Sequence, residues 1–266
     1  LEVTTPGGIG QLTLRVTAPG DGLALDNEVT LVEPKARLLT AAVTLPDDSA
    51  EQRLVQRALS AMPDVQLGTP QQAHLLIGPA GELPPPRGDL WWLGIGPLNP
   101  SPIVRRQARD LLGPYLIEKQ HPLLDGIVLG GVVWGGVQPT DLALRPLISA
   151  GRTILLGQLV EMPMPAWLMN IDLARSNLGE SPDWPILMTN LVERRRDELP
   201  GLRLWNFHVG ETITFRAPAA AADAPRSDEL MLVHTSGGER TLVRDRNDLV
   251  EINRLDQTGV YDVRDG

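Results

Sequence analysis

The pattern that most constrains the fold is a set of short, uninterrupted apolar runs in the first half of the chain. Residues 37–45 (RLLTAAVTL) and 90–95 (LWWLGI) have the length and composition of strands buried on both faces, which is typical of parallel sheets. Between them, residues 50–62 repeat apolar side chains at helical spacing after a turn sequence that supplies an N-cap. Residues 65–67 and 74–77 predict two more short strands. This order predicts an α/β domain with a doubly wound, mostly parallel sheet and flanking helices.

Residues 151–199 complete the predicted domain. Residues 142–147 and 153–156 predict an antiparallel pair joined by a short turn, and residues 166–171 predict one more strand. A polar turn follows. An amphipathic helix then begins at about Pro185, because proline suits the first turn of a helix.

Three connecting segments have weaker patterns. Residues 104–112 predict either a short helix or an irregular crossover, whereas residues 127–134 and 202–209 predict strands. The glycine pairs at 130–131 and 135–136 indicate a bulged or closely packed strand.

The two ends of the chain have the period-two pattern of antiparallel strands. Residues 11–16 and 25–33 predict an N-terminal hairpin, and the runs after residue 211 are separated by turn residues at close spacing, as in a β-sandwich. The predicted division is a β hairpin (1–34), an α/β domain (35–208) and a β-sandwich segment (209–266). We expect the hairpin to pair with the C-terminal strands, so that the α/β domain is inserted between two parts of one immunoglobulin-like sandwich.

Composition argues against several classes of function. The formal net charge is −9, and Lys35 and Lys119 are the only lysines, so the clustered cations that bind nucleic acid are not evident. The chain contains no cysteine, which excludes thiol catalysis, iron–sulfur clusters, cysteine-ligated zinc and disulfides. The longest apolar run, residues 126–137, is shorter than the roughly 20 residues that span a bilayer. We expect no nucleic-acid partner, and membrane attachment only through segments outside this sequence.

No motif in the sequence assembles a catalytic or cofactor site. There is no GxSxG nucleophile elbow, and the four histidines include no i, i+4 pair. We therefore assign no catalytic residue and expect no cofactor. The weak candidates for a metal site are Asp172, Ser176 and Asp183, because Asp and Ser near a strand end can bind a divalent cation. Their spacing (DLARS) differs from the DxSxS of adhesion-type metal sites, and an Asx turn or helix cap is the favoured interpretation.

Four segments resemble one group of large bacterial membrane proteins. They are residues 25–43 (LDNEVTLVEPKARLLTAAV), 121–134 (HPLLDGIVLGGVVW), 165–192 (PAWLMNIDLARSNLGESPDWPILMTNLV) and 259–263 (GVYDV). The likeness is to proteins related to the Bat-type aerotolerance proteins, in which an immunoglobulin-like segment leads into an α/β domain similar to class I glutamine amidotransferases. The resemblance implies an amidotransferase-like (flavodoxin-like) sheet. It also implies an extracytoplasmic location on the periplasmic face of the inner membrane, although composition alone leaves a cytoplasmic location open.

The chain departs from active amidotransferases where the nucleophile would stand. Residues 94–100 (GIGPLNP), at the end of the apolar run, contain no cysteine, so glutamine hydrolysis by a thiolate is impossible. We therefore expect a non-catalytic binding or scaffolding domain that contacts other cell-envelope proteins. The alternative is a small-ligand-binding or hydrolytic enzyme that uses the carboxyl edge of the parallel sheet. A third possibility is carbohydrate binding through the sandwich, which would need an exposed tryptophan.

Overall fold

The chain forms two compact units. The first is built from Leu1–Arg37 together with Glu198–Gly266, and the second from Leu38–Asp197. The structure is a computed structural model, and the residues that it describes are 8, 10–17, 20, 27–35, 37–99, 101, 106–217 and 228–265.

The boundary between the units lies earlier in the chain than the predicted boundary at residue 208. Residues 198–208 were assigned to the α/β domain, but they belong to the unit that contains both chain ends. Two contacts hold them there, because Gly201 forms a β-bridge with Arg216 and the Asn206 side chain bonds to the backbone of Val32. The predicted strand at 202–209 is wrong, because none of these residues lies in a β-strand. The Asn206 side chain, and not a strand backbone, contacts the edge of the hairpin.

The described strands, in chain order, are β1 (Gln11–Arg15), β2 (Glu28–Val32), β3 (Leu39–Val43), β4 (Val65–Leu67), β5 (Leu75–Pro79), β6 (Trp91–Gly96), β7 (Arg109–Leu112), β8 (Leu116–Ile117), β9 (Val133–Val137), β10 (Leu144–Ala150), β11 (Thr153–Leu159), β12 (Ala166–Asn170), β13 (Ile213–Arg216), β14 (Glu229–His234), β15 (Glu239–Val243), β16 (Leu249–Ile252) and β17 (Tyr261–Asp265). Two helices have bounds within the described residues, namely α1 (Ala50–Ser60) and α2 (Asp183–Asp197). Short 3-10 turns occupy Pro122–Leu124, Leu173–Arg175 and Leu178–Glu180.

The second unit is a mixed α/β structure around one eight-stranded sheet, in the order β4-β3-β5-β6-β12-β11-β10-β8. The five strands from β4 to β12 are parallel, whereas β11, β10 and β8 continue the sheet in antiparallel pairs. The sheet is therefore mixed. The predicted pair β10–β11 is confirmed, and its tight turn requires antiparallel strands because a parallel connection needs a long crossover. Gly151 makes that turn with a positive φ of 58°.

The apolar runs form the centre of the sheet, as predicted. Every residue of β6 and β12 is buried, and so are the first four residues of β3 and β5. Both described helices contact the sheet and each other. Helix α1 begins after Ser49, whose hydroxyl accepts the Gln52 N–H, and α2 begins at Asp183, slightly before the predicted start. No helix in the described part of the chain is long and apolar enough to cross a bilayer.

Two connecting segments differ from the prediction. Residues 127–132 form a loop, and the strand begins only at Val133, because Leu129 and Gly131 adopt positive φ angles of 58° and 72° that end an extended run. Residues 109–112 form β7, which pairs with β9, so a helix over 104–112 is excluded at its C-terminal end. Positions 102–105 of that segment lie outside the described residues.

The first unit contains separate antiparallel sheets. The hairpin β1–β2 is confirmed, β13 pairs with β16, and β14 lies between β15 and β17. The C-terminal strands enclose an apolar core of Ile213, Phe215, Ala217, Leu230, Leu232, Leu242, Val250 and Ile252. The expected pairing of the hairpin with the C-terminal strands is not among the ladders of the described residues, where β1 and β2 pair only with each other.

Candidate functional site

A cleft of about 580 Å³ opens at the carboxyl ends of the parallel strands of the second unit. Its walls come from residues just beyond β3, from the ends of β5 and β6, and from the turn after β12. Ligand sites of open α/β sheets lie at this edge, and the volume is within the range of small-molecule pockets, roughly 300–1,000 Å³. The second unit therefore has a ligand-sized cleft where the alternative hypothesis requires one.

The turn at the end of β6 carries no nucleophile. Gly96 lines the cleft with a φ of +111°, and a Cβ added there would meet no atom within 4 Å. In many hydrolytic α/β enzymes the nucleophile stands on a strained turn directly after a strand. Gly96 has that place without a side chain that could attack a substrate, and Pro97 has no amide hydrogen with which to stabilise an oxyanion.

Two of the carboxylates around the cleft hold the backbone together. Glu51 reaches from the first turn of α1 and accepts the N–H of Leu173 at 3.0 Å. Asp172 caps the following 3-10 turn by accepting the N–H of Ala174 at 3.1 Å. A third carboxylate, that of Glu82, is exposed at the cleft wall. The first two are therefore anchors for the turn after β12, and Glu82 is the acidic group most open to a ligand.

An ion pair lies beside these anchors. The guanidinium of Arg175 donates from Nη2 to Oδ2 of Asp110 at 2.9 Å, and Gly136 N–H donates to Oδ1 of the same carboxylate at 2.8 Å. The pKa of Asp110 lies below its ordinary value, first because of the Gly136 hydrogen bond and second because of Arg175. Both side chains are more than a third exposed, so the pair contributes little to stability and mainly orients Arg175 at the cleft.

The glycine pair in β9 allows this turn to approach closely. A Cβ on Gly135 would stand 2.3 Å from the backbone oxygen of Arg175, and one on Gly136 would stand 2.3 Å from the Cβ of Asp172. Gly136 also has a φ of +69°, which favours glycine. The prediction of a closely packed strand is confirmed at this pair.

A buried amide network joins the strands beneath the cleft. Gln138 N–H donates to Oδ1 of Asn170 at 3.0 Å, and Nδ2 of Asn170 donates to the Gln138 carbonyl at 2.7 Å. The Gln138 side chain makes a second reciprocal pair with the backbone of Asn99, at 2.8 and 3.0 Å. The indole of Trp134 donates to the Asn170 carbonyl at 2.9 Å. These amides are engaged on both oxygen and nitrogen, so they stabilise the fold.

The three sequence candidates for a metal site take structural roles. Asp172 caps a 3-10 turn, as described above. Ser176 donates its hydroxyl to the Val133 carbonyl at 2.7 Å and accepts the N–H of Leu178 at 3.1 Å. Within the described residues, no group of three or more His, Cys, Asp or Glu side chains could hold a metal ion.

Asp183 anchors the loop before β9 to the start of α2. Its buried carboxylate accepts the N–H groups of Val128 and Leu129 at 2.8 and 3.2 Å, and the hydroxyl of Ser181 at 2.7 Å. Burial by itself raises the pKa of Asp183, but these hydrogen bonds and the charge of Lys119 outweigh burial and hold the pKa below its ordinary value. Asp183 is thus an ionised structural anchor.

Four charged residues at or beside the cleft, Glu51, Glu82, Asp110 and Arg175, were not predicted from the sequence. They come from four separate segments, and no local spacing marks them as neighbours. The sequence shows only that these residues follow predicted strands or begin a helix. Many charged residues on a protein surface have the same position, so it does not identify a cleft.

The two histidines of the second unit accept backbone N–H groups. His74 Nδ1 accepts the N–H of Thr40 at 3.1 Å, and His121 Nδ1 accepts the N–H of Leu123 at 3.3 Å. The pKa of His74 lies below 6.5, mainly because of burial and next because of the positive charge of Arg195. The pKa of His121 is also lowered, again chiefly by burial. Both rings are therefore held as neutral acceptors.

The chain matches no protein-family model, and a search of curated proteins finds no similar sequence.

Proposed function

We propose that the chain is a non-catalytic binding or scaffolding module of a bacterial cell-envelope protein. The observation that carries the proposal is the turn after β6, where Gly96 stands at a ligand-sized cleft without a nucleophile. The surrounding charges support it, because Glu51 and Asp172 hold backbone amides and Asp110 is tied to Arg175. Groups engaged in holding the fold are poorly placed for proton transfer to a substrate.

The finer fold assignments belong to the same proposal. We propose that the second unit is a degenerate relative of class I amidotransferase-like domains with a flavodoxin-like sheet, and that the first unit is immunoglobulin-like. Five adjacent parallel strands with a cleft at their carboxyl edge support the first assignment. Antiparallel sheets around one apolar core support the second. From the resemblance of the four segments to the Bat-type group, we also propose that the module lies on the periplasmic face of the inner membrane and that it binds other envelope proteins.

Complementation of a deletion strain tests the absence of catalysis. The variant protein carries Glu82→Gln and Arg175→Gln and so lacks two accessible charges of the cleft. Loss of the exposed ion pair between Arg175 and Asp110 should lower the free energy of unfolding by only about 0–1 kcal/mol. If the module is non-catalytic, this double variant should complement the deletion as well as the wild-type protein does. If the variant failed to complement at equal protein abundance, the cleft charges would be needed for function, which would support the ligand-binding or enzyme alternative instead.

Thiol labelling tests the location. Because this chain has no cysteine, Asp141→Cys introduces one label site into it at an exposed position. A membrane-impermeant maleimide should label this variant in spheroplasts with an intact inner membrane. Labelling that requires lysis would contradict an extracytoplasmic location.

The cleft volume favours a second candidate, which is binding of a small ligand at the carboxyl edge of the parallel sheet. A metabolite screen by thermal shift of the purified chain tests it. A ligand of the cleft should raise the melting temperature of the wild type, and Glu82→Gln should reduce that increase. A screen without such a ligand would argue against this candidate.

A further inference from the structure

The second large cleft lies within the unit that contains both chain ends, and its volume is about 890 Å³. We name it the strand groove. It is lined by residues 29–33 of β2 and the following turn, by residues 259–263 at the start of β17, and by Trp205 and Phe207. Core residues of β13, β14 and β16 also line it. The strand groove therefore adjoins two β-strands that belong to different sheets.

The edge of β2 that faces away from β1 presents outward backbone groups, some of which have no hydrogen-bond partner among the described residues. Glu33 N–H donates to the Gly10 carbonyl, so odd-numbered residues of β2 bond to β1 and even-numbered residues point outward. The outward groups of Val32 are met by a side chain, because Val32 N–H donates to Oδ1 of Asn206 at 2.7 Å and Asn206 Nδ2 donates to the Val32 carbonyl at 3.0 Å. The next outward backbone groups are those of Thr30, which have no such partner in the described part of the chain.

The carboxamide of Asn206 thus acts as a substitute for one peptide unit of a neighbouring strand. It makes the same pair of bonds, donor to acceptor and acceptor to donor, that an added strand would make at Val32. This contact shows that the edge of β2 accepts an amide group in strand geometry.

β17 presents a second edge to the same groove. Thr235 N–H donates to the Val260 carbonyl, so even-numbered residues of β17 bond to β14, and the backbone groups of Tyr261 and Val263 point away from it. Both residues line the strand groove. β17 has no strand on this side among the described residues.

Apolar side chains at the strand groove are left in contact with water. Val29 is 49% exposed, Leu31 36% and Val263 38%, although each occupies a strand position. Removal of apolar surface from water is favourable. A bound segment that covers these side chains and also hydrogen-bonds to a strand edge would be stabilised by both interactions.

We infer that the strand groove binds an extended polypeptide segment of a partner protein, which adds to the edge of β2 or β17 as a new β-strand. The inference rests on the proposed binding function and names its surface and class of partner. Rows of backbone N–H and C=O groups are recognised by another strand, with affinity from main-chain bonds and selectivity from alternate side chains. A sugar would need an open aromatic face, whereas Trp205 is half-buried and Lys35 lies 5.9 Å from its ring centre.

The probe is a capped peptide of about eight residues, with alternating valine and threonine and one terminal lysine for solubility. Its binding to the purified chain is measured by calorimetry. A second peptide has the same sequence with alternate backbone nitrogens methylated, which removes hydrogen-bond donors and leaves the side chains unchanged. The first peptide should bind, and the methylated peptide should bind at least about tenfold more weakly, as expected for the loss of 1.4 kcal/mol or more of main-chain bonding.

A matched pair of variants locates the binding edge on β2. Thr30→Pro removes an outward N–H that faces the strand groove, and Thr13→Pro removes the outward N–H of its cross-strand partner on the opposite edge of the same hairpin. If the peptide adds to β2, Thr30→Pro should weaken its binding about tenfold, while Thr13→Pro should change it less than twofold. Amide shifts of Tyr261 and Val263 in NMR spectra of the wild type report on the β17 edge. Either edge, when identified, supports the inference.

Several results would overturn the inference. They are no binding at millimolar peptide, equal binding of the methylated peptide, and binding that moves neither edge. A concentration-dependent dimer that Thr30→Pro abolishes would identify a second copy of the chain as the occupant, and glycan binding without peptide binding would identify a sugar site. The peptide experiment is independent of cell location and complementation, so its failure would leave the scaffolding proposal standing, and failure of that proposal would leave peptide binding intact.

Discussion

Replacing Asp183 with asparagine should weaken the anchor between the loop of residues 127–132 and α2. In the folded protein the carboxylate accepts two backbone N–H groups, from Val128 and Leu129, and the hydroxyl of Ser181. The residue is only 5% exposed, so water cannot replace a lost partner. Asparagine keeps one acceptor oxygen, but its NH₂ group must face one of the same donors.

The magnitude follows from these contacts. A hydrogen bond to a charged group contributes about 1.5–3 kcal/mol, and a buried donor left without a partner costs about 1–3 kcal/mol. Loss of one bond and creation of one donor–donor contact should lower the free energy of unfolding of the Leu38–Asp197 unit by about 3 kcal/mol. With a urea m-value of about 3 kcal/mol per molar, the midpoint should fall by about 1 M.

Urea titration followed by tryptophan fluorescence measures this effect, because Trp184 is buried next to Asp183 in α2. Asp141→Asn is the matched control, since it makes the same change at an exposed position and should move the midpoint very little. If Asp183→Asn unfolded at the same urea concentration as this control, the carboxylate would not be an anchor and the reasoning would be refuted.

The pH dependence gives a second test of Asp183. Its pKa in the folded protein lies below the ordinary value of 3.8, so its contribution to stability is present above pH 3.8 and is lost as the pH falls through the folded pKa. The difference in unfolding free energy between the wild type and Asp183→Asn should therefore be constant near neutral pH and shrink in strong acid. A difference that grew in acid would contradict the assigned ionisation.

Three further changes have expected outcomes. Gly135→Ala places a Cβ 2.3 Å from a backbone oxygen and should cost about 1–3 kcal/mol in urea titration, whereas Gly130→Ala, which meets open space, should cost much less. The pKa of His74 lies below 6.5 in the folded protein, so the free energy of unfolding of the wild type should fall as the pH drops below 6.5. His74→Asn can still accept the Thr40 N–H, and its free energy of unfolding should fall less between pH 7 and pH 5. Asn206→Ala removes two hydrogen bonds to β2 and should lower the thermal midpoint of the first unit, by an amount equivalent to about 1–3 kcal/mol; an unchanged midpoint would show that these bonds contribute nothing net.

The candidate site could be predicted only in outline. The carboxyl edge of a parallel sheet is a foreseeable place for a cleft, and the missing cysteine in residues 94–100 already excluded thiolate chemistry. The cleft charges were not foreseeable, because Glu51 and Leu173 are 122 positions apart and Arg175 and Asp110 are 65 apart. Asp172 was correctly interpreted as a turn cap because its partner, Ala174, is two residues away.

By itself the sequence determined the parts of this protein that depend on local periodicity. The apolar runs at 37–45 and 90–95 predicted the buried strands β3 and β6, and the helical spacing of apolar residues in 50–62 predicted α1. Only the tertiary structure decided that three antiparallel strands extend the parallel sheet. It also decided that the α/β unit ends at residue 197 and not at the predicted residue 208. It also brought Asp183 to the N–H groups of Val128 and Leu129, and Asn206 to the backbone of Val32. The spacing of apolar residues depends on neighbours in the sequence and can be seen there. The hydrogen-bond partner of a buried polar group depends on which segments the folded chain brings together, so it cannot.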